Sequence, residues 1–126
     1  MATMIKFRAW DKATSSYRKV LEIEFYPDGE LKKVKVAGLQ RKGTITPDKL
    51  VLEQFTGLKD VNGKPIYEGD IVKVVYQYWG QLGNRYEVKF KQGAFYVKYG
   101  LLSEISPSIS VIGNVHTNPE LLEEKK

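Results

Sequence analysis

Apolar and polar residues alternate along most of the chain with a period of two, the pattern typical of a half-buried β-strand. The strands predicted from this alternation lie at residues 5–10, 21–25, 31–37, 50–55, 71–79, 86–91, 95–99 and 109–115. The strand predicted at 71–79 is apolar on both faces, as expected for a central strand. Together with the two strands that follow it, it predicts a meander.

Turn residues separate these strands at short intervals. Pro-Asp-Gly at 27–29 predicts a tight turn. Asn-Gly at 62–63 predicts a type I′ turn, in which both central residues have φ above zero. A polar and basic loop is expected at 38–48, and it includes Gln40, Arg41 and Lys42. Near the C-terminus, capping residues and a proline predict a short helix at 119–124.

Many short strands without a long amphipathic helix predict an all-β barrel or sandwich. The chain has 126 residues, of which 42% are hydrophobic and 28% charged, so we expect one folded domain over 1–126. Charged residues or glycine interrupt every apolar run, so we expect no membrane-spanning helix. The N-terminal residues lack the apolar region of a signal peptide, and a cytoplasmic location is expected.

The composition leaves little room for common enzyme chemistry. With no cysteine and a single histidine, His116, the chain cannot form disulfides, thiolate metal sites or cysteine nucleophiles. We therefore expect a non-enzymatic protein without catalytic residues, cofactor or metal. The weaker alternative is a metal-dependent enzyme that would use scattered carboxylates, namely Glu53, Glu68, Asp70 or Glu87.

Two of the candidate residues have a structural interpretation that we favour. Asp70 follows Glu68 by two positions, and such a carboxylate pair can bind a metal, but no third ligand is placed by the sequence. Side-chain bonding to a nearby backbone group makes a turn cap the better prediction for Asp70. For His116 we expect a hydrogen-bonded residue at the surface or at a strand edge.

The net charge is moderately positive, with 20 basic against 15 acidic residues and a formal value of +5. Such a surplus can favour an anionic polymer, but it also keeps a small protein in solution. Few of the basic residues are arginine, the type that makes bidentate contacts to phosphate and guanine. This weakens the prediction of specific nucleic-acid recognition.

Several segments together resemble the YopX family of small phage and prophage proteins. The segments that carry the resemblance are IKFRAWD at 5–11, QFTGLKD at 54–60, NGK at 62–64, IYEGDIV at 66–72, VIGNVH at 111–116 and NPELL at 118–122. The departures lie in 12–49 and 76–108, where a partner preference would be expected to reside. The resemblance covers nearly the whole chain.

The resemblance implies a mostly β fold with an SH3-like barrel in the C-terminal half, and an origin in a phage or prophage. It implies a β-hairpin region at 1–53, the barrel at 54–116, and a short helix and tail at 117–126. It carries no established activity, so no catalytic residue is transferred to this chain.

Aromatic and basic residues are interleaved on the predicted meander and form the candidate interaction surface. Its members are Tyr78, Trp79, Arg85, Tyr86, Lys89, Lys91, Tyr96 and Lys98, with Tyr76 and Tyr99 beside them. The favoured hypothesis is a protein-interaction module, in which an open edge or the loop at 79–85 binds a phage or host protein or a second copy. The alternative is an accessory protein that binds single-stranded DNA or RNA, with rings stacked on bases. Burial of Tyr78, Trp79 and Tyr96 in the core would contradict the alternative.

Overall fold

The computed structural model describes residues 5–38, 43–98 and 100–123. The expectations for Gln40, Arg41, Lys42 and Tyr99, and for Glu124 at the end of the predicted helix, lie outside the described residues. The chain divides into an N-terminal unit, Ile5–Gln54, and a C-terminal unit that begins at Phe55. The expected single domain with its subdivisions after 53 and 116 stays a prediction.

The N-terminal unit is an antiparallel sheet. Its strands are β1 (Phe7–Asp11), β2 (Ser16–Phe25), β3 (Leu31–Val36), β4 (Thr44–Ile45) and the first half of β5 (Leu50–Lys59), with a 3₁₀ turn at Pro47–Lys49. The strand order is β4-β3-β2-β1-β5. The predicted alternation is confirmed in β3, where Val34 and Val36 are buried and Lys33 and Lys35 are exposed.

The hairpins of this unit follow the predicted turn chemistry. Gly29 has φ 93°, and its N–H donates to the Tyr26 carbonyl at 2.9 Å, which closes the predicted turn between β2 and β3. The first two strands pair as expected, with Trp10 opposite Tyr17. This pairing explains why β2 begins at Ser16, five residues earlier than the alternation alone predicted.

The C-terminal unit contains the remaining strands and short helical segments. They are the second half of β5, β6 (Pro65–Tyr67), β7 (Asp70–Val74), β8 (Arg85–Glu87), β9 (Lys89–Lys91), β10 (Ala94–Val97), β11 (Gly100–Leu101), α1 (Leu102–Ile105), a 3₁₀ turn at Ser106–Ser108, β12 (Ile109–Asn114) and a 3₁₀ turn at Pro119–Leu122. The core residues are Ile66, Val72, Val74, Tyr86, Val88, Val97, Leu102, Ile105 and Ile109.

Two three-stranded sheets build much of this unit, in the orders β12-β7-β8 and β11-β10-β9. The mainly β fold class is therefore confirmed. In the described ranges the sheets are open, so the barrel expected for this half does not close. The terminal helix is confirmed as a short 3₁₀ turn, Pro119–Leu122. The longest helical segments that the structure describes have four residues, far from the about 20 that cross a bilayer.

A turn is present at 62–63 as predicted, but the prediction that it has type I′ geometry is wrong. Gly63 has φ 81°, whereas Asn62 is not among the residues with positive φ. The Gly63 N–H donates to the Asp60 carbonyl at 3.0 Å, so Val61 and Asn62 are the central residues. The Asp60 carboxylate accepts the Asn62 and Lys64 N–H groups at 2.8 and 2.9 Å. This side chain shifts the turn by one residue and leaves only glycine at positive φ.

The predicted meander differs in two places. The strand expected at 71–79 ends at Val74, because the Gly83 N–H donates to the Val74 carbonyl at 2.8 Å and folds the chain back. The strand expected at 86–91 divides at Val88 into β8 and β9. The Val88 N–H donates to the Asp70 carbonyl at 2.9 Å, while β9 pairs with β10 in the other sheet.

Candidate interaction surface

Strand β8 forms one edge of the sheet β12-β7-β8, and no other strand in the described residues pairs with it. Tyr86 lies opposite Val72 of β7. Two residues away on either side, the chain bonds to β7, since the Val74 N–H donates to the Asn84 carbonyl and the Val88 N–H donates to the Asp70 carbonyl, both at 2.9 Å. Antiparallel pairs alternate between bonded and non-bonded positions. The main-chain N–H and C=O groups of Arg85 and Glu87 therefore point away from β7.

An open groove of about 690 Å³ runs along this edge, and we call it the β8 groove. Residues 83–87 line it without interruption, so the strand itself forms one wall. The other walls come from Lys89 of β9, from Tyr96 and Lys98 in and after β10, and from the terminal segment 121–123. The groove thus exposes the part of β8 whose main-chain groups face away from β7.

The groove brings together several residues of the candidate surface. Those that line it are Arg85, Tyr86, Lys89, Tyr96 and Lys98. Lys91 is exposed on β9, two positions from Lys89, and lies outside the lining. Tyr78 and Trp79 also lie outside it, in the loop that precedes β8.

Tyr86 is a core residue whose hydroxyl group forms hydrogen bonds to the preceding loop. Its side chain is buried, and its hydroxyl donates to Gln81 Oε1 at 2.8 Å. The same hydroxyl accepts from Asn84 Nδ2 at 3.0 Å. Tyr86 therefore connects the core to the loop 75–84, which we call the Trp79 loop.

The Trp79 loop presents one large ring to solvent. Trp79 is 86% exposed and has φ 48°, a left-handed conformation that is uncommon for a residue with a bulky side chain. Gly80 follows with φ 73°. The Gln81 N–H donates to the Tyr78 carbonyl at 2.9 Å and closes the turn around Trp79 and Gly80, while the Gly83 N–H donates to the Val74 carbonyl at 2.8 Å and holds the base of the loop. The tryptophan is therefore displayed on an anchored loop rather than on a strand.

The three rings that were to distinguish the hypotheses occupy different environments. Trp79 is exposed, Tyr96 is half-buried in the wall of the groove, and Tyr78 packs against the core. Two of the three rings are thus accessible to a ligand. Tyr78 is also half-buried, but its ring packs against the core.

Charged groups of both signs surround the groove. Arg85, Lys89 and Lys98 supply positive charge, and Glu87 and Glu123 supply negative charge. Among the lining residues that the structure describes, the cations therefore outnumber the carboxylates. Within residues 5–38, 43–98 and 100–123, no cluster of three or more His, Asp or Glu residues is positioned to hold a metal ion.

The carboxylates considered for chemistry have structural partners. Asp70 is buried, and its Oδ2 accepts the Tyr67 N–H at 2.8 Å, which confirms the predicted turn cap. Glu53 is buried, and its Oε1 lies 2.8 Å from Arg8 Nε. Both carboxylates therefore stabilise the fold locally.

The remaining candidates are partly accessible. Glu68 is half-buried beside the turn that Asp70 caps, and Glu87 lines the groove. His116 is half-buried just after β12, where its main-chain N–H donates to Asn114 Oδ1 at 3.0 Å. This position agrees with the edge location expected for His116.

Some residues of the site were not expected from the sequence. The terminal segment 121–123 was predicted only as part of a helix, yet Leu121 and Leu122 line the groove beside β8. Their adjacent apolar side chains, just after a helix start, were the available signal. Gln81 and Asn84 were assigned to a loop, and nothing in the sequence indicated that both bond to the Tyr86 hydroxyl.

Comparison with known proteins gives a family and a fold. The family model described as YopX protein matches residues 6–123. The crystal structure of protein EF1440 from Enterococcus faecalis is similar, with a TM-score of 0.72 and 26% sequence identity. That similarity covers 97% of this chain and 100% of the other. No curated protein matches the chain.

Proposed function

The chain belongs to the YopX family, and we propose that it is a non-enzymatic interaction module of a phage or prophage that binds a phage or host protein through the β8 groove. The observation that carries the proposal is the coincidence of an open groove with the outer edge of β8, Arg85–Glu87, with which no other described strand pairs. Main-chain groups at such an edge provide affinity, and the surrounding side chains provide selectivity.

The Trp79 loop supports the same proposal. Tryptophan is enriched among the residues that contribute most to protein interfaces. A ring that is 86% exposed contributes little buried area to the free chain. Because the loop is anchored through Tyr86, the ring can be presented to a partner with a small loss of loop entropy.

Binding of single-stranded nucleic acid is the second candidate function. It is favoured by Arg85 and Lys89 lying beside the Tyr96 ring in one groove, since cations follow a phosphate backbone and rings stack on bases. A phosphate backbone only accepts hydrogen bonds, so it would leave the outward-facing carbonyl groups of Arg85 and Glu87 without donors. Protein binding therefore remains the first proposal.

Capture of partners from bacterial extracts, with and without the phage, tests the first proposal. The matched variants are Lys89→Glu, at a residue that lines the groove, and Lys91→Glu, at an exposed residue of the same strand outside it. We expect a defined partner, or a second copy of the chain, that Lys89→Glu releases and Lys91→Glu retains. Equal capture by both variants, or a monomer without any enriched partner, would contradict the proposal.

Fluorescence anisotropy with labelled single-stranded DNA, duplex DNA and RNA tests the second candidate. Binding through several phosphates should weaken steeply with salt, with a logarithmic slope of roughly −0.7 per phosphate for a single strand. Lys89→Glu should weaken this binding more than Lys91→Glu does. Absence of binding at low salt would remove the nucleic-acid candidate.

A further inference from the structure

We infer that the β8 groove binds an extended acidic peptide, which adds to the sheet as a strand beside β8. This inference rests on the proposed function and names the kind of segment that the partner supplies. It follows from three features of the groove, namely the direction of its main-chain groups, its charge and its apolar wall.

The main-chain groups set the binding mode. The N–H and C=O of Arg85 and of Glu87 point away from β7, and the groove is lined by the strand that carries them. A peptide in extended conformation offers donors and acceptors in the same alternation and can pair with both residues. Phosphate oxygens only accept hydrogen bonds, so a phosphate backbone would leave both carbonyl groups without donors. The edge therefore favours a peptide over a nucleic-acid backbone.

The charge of the groove selects the side chains of the peptide. Among the described residues of the lining, the cations Arg85, Lys89 and Lys98 outnumber the carboxylates Glu87 and Glu123. Lys89 is exposed, so an added carboxylate reaches it without a large desolvation cost. Asp or Glu on the peptide is therefore attracted, and a basic strand is repelled.

An apolar wall lies beside these charges. Leu121 and Leu122 line the groove, and Leu122 remains 36% exposed. Successive side chains of a strand point to opposite sides. An added strand can therefore direct apolar side chains toward this wall and acidic side chains toward the cations. The expected sequence alternates acidic and apolar residues.

The test selects peptides from a randomised library displayed on yeast, with the full chain as bait. We expect enriched peptides that alternate Asp or Glu with apolar residues. The best peptide is then synthesised in two N-methylated forms, one methylated at the alternate amides that face β8 and the other at the amides that face away from it. Methylation that removes donors facing β8 should weaken binding about tenfold or more, and methylation in the other register should have little effect. Lys89→Glu should weaken binding, whereas Lys91→Glu should not.

Hydrogen exchange provides a readout that is independent of affinity. Peptide binding should protect the main-chain amides of Arg85 and Glu87, which pair with the added strand. Binding that is equally insensitive to methylation in both registers, or that leaves these amides unprotected, overturns strand addition. The proposed function survives that result if a captured partner still depends on Lys89.

The other outcomes separate the two proposals further. Enrichment of basic peptides, or of no peptide at all, also overturns the inference. Lys89-dependent binding of labelled single-stranded DNA without any peptide binding would assign the groove to nucleic acid. If the proposed function itself is wrong, the extract experiment will capture no partner whose binding depends on Lys89.

Discussion

The side-chain Oδ1 of Asn118 lies 2.6 Å from the position that a Cβ atom would take on Gly113. The same oxygen accepts the Asn114 N–H at 3.3 Å, and the Asn118 N–H donates to the Asn114 carbonyl at 2.9 Å. Glycine at 113 therefore makes room for the side chain that closes the turn after β12. This turn leads into the terminal segment 119–122, which places Leu121 and Leu122 in the groove.

We predict that Gly113→Ala lowers the free energy of unfolding by about 1–3 kcal/mol, because the new methyl group must displace Asn118. Urea denaturation followed by circular dichroism measures the change. Gly100→Ala is the matched control, since a Cβ there meets no atom within 4 Å. Equal stability of the two variants would show that Asn118 moves aside without cost.

Local patterns in the sequence predicted much of the N-terminal unit, because its strands are half-buried and their turns use proline and glycine. The same logic failed after Val74. Tyr76 and Tyr78 continue the alternation of β7, yet Tyr76 is 62% exposed and the chain has already turned back. Alternation reports which residues suit a strand, whereas the end of β7 is set by the bond from Gly83, which lies beyond the strand that the alternation predicts.

A buried carboxylate connects the hairpin after β5 to β12. Asp60 Oδ2 accepts the Val111 N–H at 2.8 Å, and Oδ1 accepts the N–H groups of Asn62 and Lys64. Burial acts to raise the pKa of Asp60, but these three hydrogen bonds and the charge of Lys64 outweigh it, so the pKa lies below its usual value of 3.8. The folded state therefore favours the ionised form.

This pKa shift makes the contribution of Asp60 dependent on pH. Because the folded pKa is depressed, the unfolded chain binds more protons in acid. The stabilisation is complete above the unfolded value, at a pH of about 5 and higher, and is lost as the pH falls through the folded pKa. We predict that Asp60→Asn costs about 2 kcal/mol near neutral pH and progressively less in acid.

Urea titrations of the wild type and Asp60→Asn across this pH range measure the difference. Asp28→Asn is the control, because it removes a carboxylate at an exposed turn that makes one main-chain bond, to the Glu30 N–H. A difference between wild type and Asp60→Asn that stays constant with pH would show that the carboxylate acts by shape and not by charge.

In the N-terminal unit, Glu53 forms an ion pair with Arg8 and also accepts a hydrogen bond from the Tyr17 hydroxyl. Arg8 Nε and the Tyr17 hydroxyl contact Glu53 Oε1 at 2.8 and 2.9 Å, and the Arg8 guanidinium lies 4.1 Å from the centre of the Tyr17 ring. We predict that Tyr17→Phe costs about 1 kcal/mol, as one hydrogen bond is lost. Glu53→Ala should cost about 3 kcal/mol, since it leaves a partly buried cation without its carboxylate.

Thermal and urea unfolding measure both variants. The control is Glu22→Gln, because Glu22 lies in an exposed pair, 3.7 Å from Lys35, and should matter by less than about 0.5 kcal/mol. A Glu53→Ala variant as stable as the control would mean that the attraction within the ion pair barely offsets the free-energy cost of desolvating its two charges.

The candidate site was predictable in its residue types but not in its geometry. Interleaved rings and cations marked the region, and Arg85, Lys89 and Tyr96 do line one groove. Which ring is buried depends on register, and Tyr86 faces the core because it lies opposite Val72. The contribution of Leu121 depends on a contact between distant parts of the chain, which no local pattern reports.

Trp79 tests whether the exposed ring serves the fold or a partner. Its backbone has φ 48°, which costs a non-glycine residue about 1 kcal/mol, while its exposed ring stabilises little. Trp79→Gly relieves this strain. It also raises the conformational entropy of the unfolded chain, which lowers the free energy of unfolding by about 0.5–1 kcal/mol, so the two effects nearly cancel. We predict an unfolding free energy within about 0.5 kcal/mol of wild type, together with weaker capture of the partner.

Trp10→Ala is the control and should lower the free energy of unfolding by more than about 1 kcal/mol, because the Trp10 ring packs edge-on against Tyr17 at 5.0 Å. A Trp79→Gly variant as unstable as Trp10→Ala would assign the ring to the fold, whereas a stable variant that loses its partner would assign it to binding.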